Sequence, residues 1–187
     1  MEAFLVSVTS VALAEMGDRT QLLSLVLAAR YRKPWLILAG IFLATLANHL
    51  AAGAAGAWFG TLLTPAVLDI AIGASMFGMA VWTLKPDHLN GGTQRGRRHG
   101  AFLATLMAFF VAEIGDKTQI ATVSLAAAYP SLAAVVAGTT CGMLIANAPI
   151  VFLGKVFAAR LPLRALHVGA AMLFAVLGVA FLVRGFR

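Results

Sequence analysis

A polar string of seven residues occurs twice in this chain, each time in apolar surroundings. The first copy is Glu15-Met16-Gly17-Asp18-Arg19-Thr20-Gln21 and the second is Glu113-Ile114-Gly115-Asp116-Lys117-Thr118-Gln119. Glu15 and Glu113 lie 98 residues apart in a chain of 187, so each half carries one copy. Each copy brings two acids and one base into a segment that hydropathy assigns to hydrocarbon. A charge at the centre of a bilayer costs about 2.5–3.5 kcal/mol on insertion scales, so it marks a functional position by default. Two matched copies in two halves predict that each half supplies half of one site.

The rest of the composition supports a membrane setting. The chain is 61% hydrophobic and 11% charged, whereas a soluble domain carries about 25% charged residues. The fold class expected is an all-α integral membrane protein. Its length suits six transmembrane helices of about 20 residues each, with no separate soluble domain. A net charge of +7 would point to nucleic acid in a soluble protein. Here the basic residues read as loop anchors that set topology, and no nucleic-acid partner is expected. No cleavable signal peptide is expected, because no basic run precedes the first apolar segment. The single cysteine, Cys141, excludes an intramolecular disulfide and a cysteine-based metal site.

Six spans are expected, at residues 4–29, 34–60, 67–84, 101–128, 132–157 and 165–183. The first and fourth hold the two motif copies. Pro34 suits the first turn of the second span, and Trp35 and Trp58 stand at its two ends as interfacial anchors. The repeat extends beyond the motif: Gly40 matches Gly138 and Gly56 matches Gly154 at the same offset of 98. Asn48 matches Asn147 with one residue inserted, and Ile72 to Met76 resembles Val168 to Met172 at an offset of 96. Residues 1–84 and 101–187 are therefore read as two three-helix repeats joined by a linker at 85–100. Three crossings per repeat force the two repeats to enter the membrane from opposite sides, which gives an inverted repeat.

Loop charges set the orientation. Arg30, Arg32, Lys33, Lys85, Arg95, Arg97, Arg98, Lys155, Arg160 and Arg164 follow spans one, three and five, while Arg184 and Arg187 lie on the other side. The positive-inside bias places the central linker in the cytoplasm and both termini outside.

On a continuous helix, Glu15 and Asp18 share a face, as do Glu113 and Asp116, and Gln21 and Gln119 continue the same stripe. Gly17 and Gly115 allow either close helix approach or a local break that exposes backbone carbonyls. Thr20 and Thr118 point elsewhere on an ideal helix and become ligands if it unwinds. Asn48 and Asn147 sit mid-span, within reach of the site or engaged in interhelical hydrogen bonds. If the motif helices cross at the midplane, four carboxylates and two amides converge. This all-oxygen set suits hard divalent cations such as Mn²⁺, Ca²⁺ and Mg²⁺. Four acids against Arg19 and Lys117 leave two negative charges, which one divalent cation or two protons neutralise. The purely structural alternative is a pair of ion pairs within the motifs, Glu15 with Arg19 and Glu113 with Lys117. His49 is expected to serve packing, Ala52, Gly56 and Gly60 to form a packing strip, and His88, His99 and His167 to be solvated.

The doubled Glu-x-Gly-Asp-(Arg/Lys)-Thr string, in a six-span chain with a central basic linker, resembles the GDT family over essentially its whole length. Eukaryotic members of that family are Golgi-type Mn²⁺/Ca²⁺ exchangers, and bacterial members are associated with Mn²⁺ export. The resemblance implies that Glu15, Asp18, Glu113 and Asp116 are cation ligands, with Thr20, Gln21, Thr118 and Gln119 nearby. Arg19 and Lys117 are then counter-charges or gate partners. The expected function is a secondary transporter exporting a divalent cation, Mn²⁺ ahead of Ca²⁺, in exchange for H⁺ across a bacterial plasma membrane, with no resident cofactor. The competing reading is a small-solute exporter of the amino-acid type, with the acids pairing a substrate ammonium group. No nucleophile–base constellation, HExxH or nucleotide loop supports an enzyme.

Overall fold

The computed structural model describes residues 1–84, 100–154 and 162–186. The described residues form eight helices: α1 (Glu2–Glu15), α2 (Arg19–Tyr31), α3 (Pro34–Leu62), α4 (Pro65–Thr83), α5 (Ala101–Glu113), α6 (Lys117–Ala128), α7 (Leu132–Leu153) and α8 (Leu163–Gly185). The protein is all-α, and α3, α4, α7 and α8 are each long and apolar enough to cross a membrane. The linker at 85–99, with Lys85, His88, Arg95, Arg97, Arg98 and His99, lies outside the described residues, as do Lys155, Arg160 and Arg187.

The two spans expected at 4–29 and 101–128 are both broken at the motif, one of the two readings open for Gly17 and Gly115. α1 ends at Glu15 and α2 begins at Arg19, while α5 ends at Glu113 and α6 begins at Lys117. The glycines explain the interruption. Gly17 has φ +86° and Gly115 has φ +75°, values that a residue with a Cβ adopts only at a cost. Asp18 and Asp116 then take extended backbone angles and cap the following helices. Asp18 Oδ1 accepts a hydrogen bond from the Arg19 N–H, the first of α2, at 2.7 Å, whereas Asp116 holds the N-cap position of α6 without a side-chain cap bond. The expected stripe of Glu15 and Asp18 on one helix face, and of Glu113 and Asp116 on another, is therefore corrected. In each copy the acids sit on opposite lips of a break.

The remaining boundaries follow local chemistry. Pro34 and Pro65 open α3 and α4 in the first turn, where a missing N–H is harmless. Arg32 closes α2 in the left-handed region at φ 51° and returns its N–H to Ala28.

Helices α5 and α6 lie against α3, α1 and α2 lie against α7, and α4 pairs with α8. Small residues allow the close approaches. A Cβ on Gly40 of α3 would stand 2.9 Å from the Phe102 carbonyl oxygen and 2.8 Å from Thr105 Cβ on α5. A Cβ on Gly138 of α7 would stand 2.6 Å from the Phe4 carbonyl oxygen and 2.7 Å from Ser7 Cβ on α1. Phe4 and Phe102, like Ser7 and Thr105, are 98 residues apart. The Gly56–Gly154 match does not extend so far. Gly56 packs on the Val123 backbone, whereas Gly154 ends α7 at φ +61° and meets no described residue within 4 Å of a Cβ. The strip of Ala52, Gly56 and Gly60 does serve packing, with Gly56 and Gly60 facing α6.

Two apolar cores result. One gathers Ala14 of α1, Met76 of α4, Leu125 of α6 and Phe174 of α8. The other gathers Leu27 of α2, Ile41 of α3, Phe109 of α5 and Met143 of α7, with no buried member from α4 or α8. Trp35 and Trp58, expected at the two ends of one span, are 74% and 60% exposed.

Candidate cation site at the two helix breaks

The two breaks face each other, and their charges pair across the molecule. Arg19 Nη2 lies 3.0 Å from Asp116 Oδ1, and Lys117 Nζ lies 3.3 Å from Asp18 Oδ1. Each base therefore neutralises the aspartate of the other copy. The break supplies the reason: a base that is the first residue of α2 or α6 no longer stands one turn below the glutamate ending the preceding helix.

Glu15, Asp18 and Asp116 each present a carboxylate oxygen within 4.8 Å of the others, and all three side chains are buried. Glu113 is also fully buried. The surroundings of each acid come largely from the opposite half. Asn147 Nδ2 of α7 donates to Glu15 Oε1 at 3.2 Å. Asn48 Nδ2 of α3 donates to Glu113 Oε2 at 3.4 Å and to the Phe110 carbonyl at 3.1 Å. Ser24 Oγ donates to Asn147 Oδ1 at 2.6 Å, which holds the amide in that orientation.

The threonines join the acids because the helices are broken. Thr20 Oγ1 donates to Glu15 Oε1, and Thr118 Oγ1 donates to Asp116 Oδ2 at 3.2 Å. The glutamines brace the breaks. Gln21 Oε1 accepts from the Gly17 N–H at 2.9 Å, and Gln119 Oε1 accepts from the Gly115 N–H at 2.8 Å. Gln21 also donates to the Ala146 carbonyl at 2.9 Å, tying the first break to α7.

Two histidines stand where the sequence did not place them. His49, expected to serve packing, puts Nε2 3.3 Å from Glu113 Oε1 with its side chain fully buried. The available signal was its position next to Asn48, one residue along a helix that passes the second break. His167, expected in solvent, is only 9% exposed. A Cβ on Gly17 would stand 2.6 Å from His167 Nε2, so this imidazole covers the first break.

Converging buried carboxylates, with hydroxyl and amide groups around them, form an oxygen-rich cluster of the kind that binds hard divalent cations. Glu15 Oε2 has no hydrogen-bond partner among the described residues. A buried polar atom left in that state is costly, and a cation would satisfy it.

Comparisons with known proteins agree with this chemistry. The family described as "Divalent cation/proton antiporter GDT1" matches residues 3–90 and 101–187. A protein of Vibrio cholerae serotype O1 named "Putative manganese exporter" is 50% identical over 181 residues, covering 96% of this chain and 90% of that protein. No solved structure matches the chain. The chain thus belongs to the divalent cation/proton antiporter GDT1 family, whose members are transporters rather than enzymes and carry the metal ion as cargo.

Proposed function

We propose that this protein exports Mn²⁺ from the cytoplasm in exchange for protons, with Ca²⁺ as a second cargo. The observation that carries the reading is the reciprocal pairing of Arg19 with Asp116 and Lys117 with Asp18. It draws three buried carboxylates within 4.8 Å of one another. Glu15, Asp18, Glu113 and Asp116 hold the cation. Thr20, Thr118, Asn48 and Asn147 orient those acids, and Gln21 and Gln119 keep the breaks open. The relative from Vibrio cholerae, by its printed name, supports manganese as the cargo.

Six membrane spans follow if α1–α2 and α5–α6 each cross once as broken helices, alongside α3, α4, α7 and α8. Residues 1–84 and 101–187 then form two inverted repeats joined by the linker at 85–100. Support comes from equivalent residues doing equivalent work: Gly40 against Phe102 and Thr105, Gly138 against Phe4 and Ser7. Asn48 and Asn147 likewise reach the glutamate of the opposite copy. The linker is cytoplasmic and both termini are outside a bacterial plasma membrane, on the distribution of basic residues.

The transport cycle follows from charge. With no cargo, four acids and two bases leave two negative charges in a poorly solvated site. Moving that site between the two faces of the membrane carries a desolvation penalty. Two protons remove it on the return stroke, and the cation displaces them at the cytoplasmic face. Purified protein in liposomes, with a pH-sensitive dye inside and Mn²⁺ supplied on one face, tests this. Proton movement opposite to Mn²⁺, accelerated by an imposed pH gradient, is the expected result. Mn²⁺ flux that ignores the gradient would overturn the coupling.

A further inference from the structure

The two glutamates of the site have unequal company. Glu15 meets Asn147 and Thr20, both through hydrogen bonds. Glu113 meets Asn48 and, beside it, the imidazole of His49. Asn48 and Asn147 correspond in the two halves, but the residue after Asn147 is Ala148. The imidazole therefore breaks the symmetry of the site at one point.

His49 is fully buried, and neither of its ring nitrogens has a hydrogen-bond partner among the described residues. An imidazole buried with neither ring nitrogen hydrogen-bonded is costly, so its retention beside a candidate ligand calls for a reason. Its Nε2 stands 3.3 Å from Glu113 Oε1. With metal–ligand bonds of about 2.1 Å, two ligands of one ion are separated by about 3.0 Å in an octahedron and about 3.4 Å in a tetrahedron. The observed spacing falls between these edges, so one ion can meet both atoms with little movement. Imidazole nitrogen suits transition-metal ions, whereas Ca²⁺ and Mg²⁺ take oxygen ligands.

We infer that His49 Nε2 and Glu113 Oε1 together form a nitrogen–oxygen portion of the cation site that selects a transition-metal ion over Ca²⁺ and Mg²⁺. The inference rests on reading the chain as a divalent-cation exporter. It adds to that reading the residue that discriminates between ions of equal charge. Exchanging His49 for glutamine replaces the nitrogen donor by an oxygen donor of similar reach. Affinity for Mn²⁺ should fall about 10-fold, within the range seen when a metal site loses a supporting group. Competition by Ca²⁺ should rise at the same time. A purely structural histidine would weaken both ions alike.

The deciding measurement is electron spin-echo modulation of Mn²⁺ bound to the full-length protein, grown with ¹⁵N-labelled histidine. Coupling between Mn²⁺ and a histidine ¹⁵N is expected in the unmodified protein and is expected to vanish in His49→Gln. The combined variant His88→Gln, His99→Gln, His167→Gln keeps His49 as its sole histidine and should retain the coupling. This holds the test open even if His49→Gln fails to fold. Bound and transported Mn²⁺ without histidine coupling would overturn the role of His49 and leave the exporter reading intact. Coupling that disappears in the combined variant would move the ligand to another histidine. Absence of Mn²⁺ binding altogether would overturn both readings.

Discussion

The two copies of the motif share a backbone and differ in their settings. Both break a helix at a glycine of positive φ and both cap the next helix with aspartate. Yet the first break is roofed by Leu163 and His167 of α8, whereas none of the described residues comes within 4 Å of a Cβ built on Gly115. Lys117 is 1% exposed in its pair with Asp18, and Arg19 is 38% exposed in its pair with Asp116. The helices around them differ in the same sense. α4 packs on α6 and α8 packs on α1, while α4 against α5 and α8 against α2 make at most marginal contact among the described residues. Nearly equal sequences in unequal settings are what one of two alternating arrangements of a doubled architecture would show. Exchanging the roles of the halves would lay α4 over Gly115 and move the α4–α8 pair onto α2 and α5.

The largest expected effects come from the acids, where the two copies should behave alike. Glu15→Gln, Asp18→Asn, Glu113→Gln and Asp116→Asn should each lower Mn²⁺ flux in liposomes by roughly 100-fold or more, since each removes more than the supporting groups whose loss costs 10–100-fold. A tolerated change in one copy alone would show that the halves do not share a single site. Next comes a lock on the arrangement itself. Ser75 Oγ of α4 lies 2.8 Å from Ser124 Oγ of α6. Ser75→Cys with Ser124→Cys, in a Cys141→Ser background, should stop transport when oxidised and recover on reduction. Full activity of the cross-linked protein would remove the second arrangement.

The bases should then diverge. Lys117→Gln leaves the buried Asp18 carboxylate without its lysine, a change of about 3–5 kcal/mol for a buried pair. Arg19→Gln leaves the buried Asp116 without a base that is itself 38% exposed, so the loss should be smaller, about 1–3 kcal/mol. Thermal unfolding in detergent measures the gap, and equal losses would contradict the unequal burial. The glycines give the smallest difference. Gly115→Ala meets only backbone strain, about 1–3 kcal/mol. Gly17→Ala adds a collision with His167, so its Tm should fall further. A Tm for Gly115→Ala at or below that of Gly17→Ala would mean that the second break is covered as well.

The doubled string and the Gly40–Gly138 match were readable before any coordinates, whereas the Gly56–Gly154 match had no structural counterpart. The candidate acids were readable too, because charge in an apolar segment is conspicuous in one dimension. The break was one of two readings open at Gly17 and Gly115, and nothing in the sequence chose it over close helix approach. Hydropathy averages over residues and is blind to φ, so Ala14 and Leu22 on either side of the motif look like one continuous span. The partners of each charge were hidden for the same reason. Spacing of i and i+4 implies contact only while the helix continues, and once Gly17 and Gly115 interrupt it the nearest opposite charges lie across the molecule. Asn48 and Asn147 were visible as mid-span amides, but their reach to the glutamate of the opposite half depends on the packing of α3 and α7. His49 and His167 were passed over because a lone histidine in an apolar segment is ordinary until its neighbours are known.

The crossed ion pairs also bear on how the protein is made. Asp18 and Arg19 leave the ribosome 98 residues before Asp116 and Lys117. At about 5–20 residues per second, the first half waits about 5–20 s for the residues that will neutralise it. During that interval its charges can meet only one another, lipid headgroups or the insertion machinery. A chain truncated within residues 85–99 lacks the partners of Asp18 and Arg19 and is expected to be held less firmly in the bilayer than the full chain.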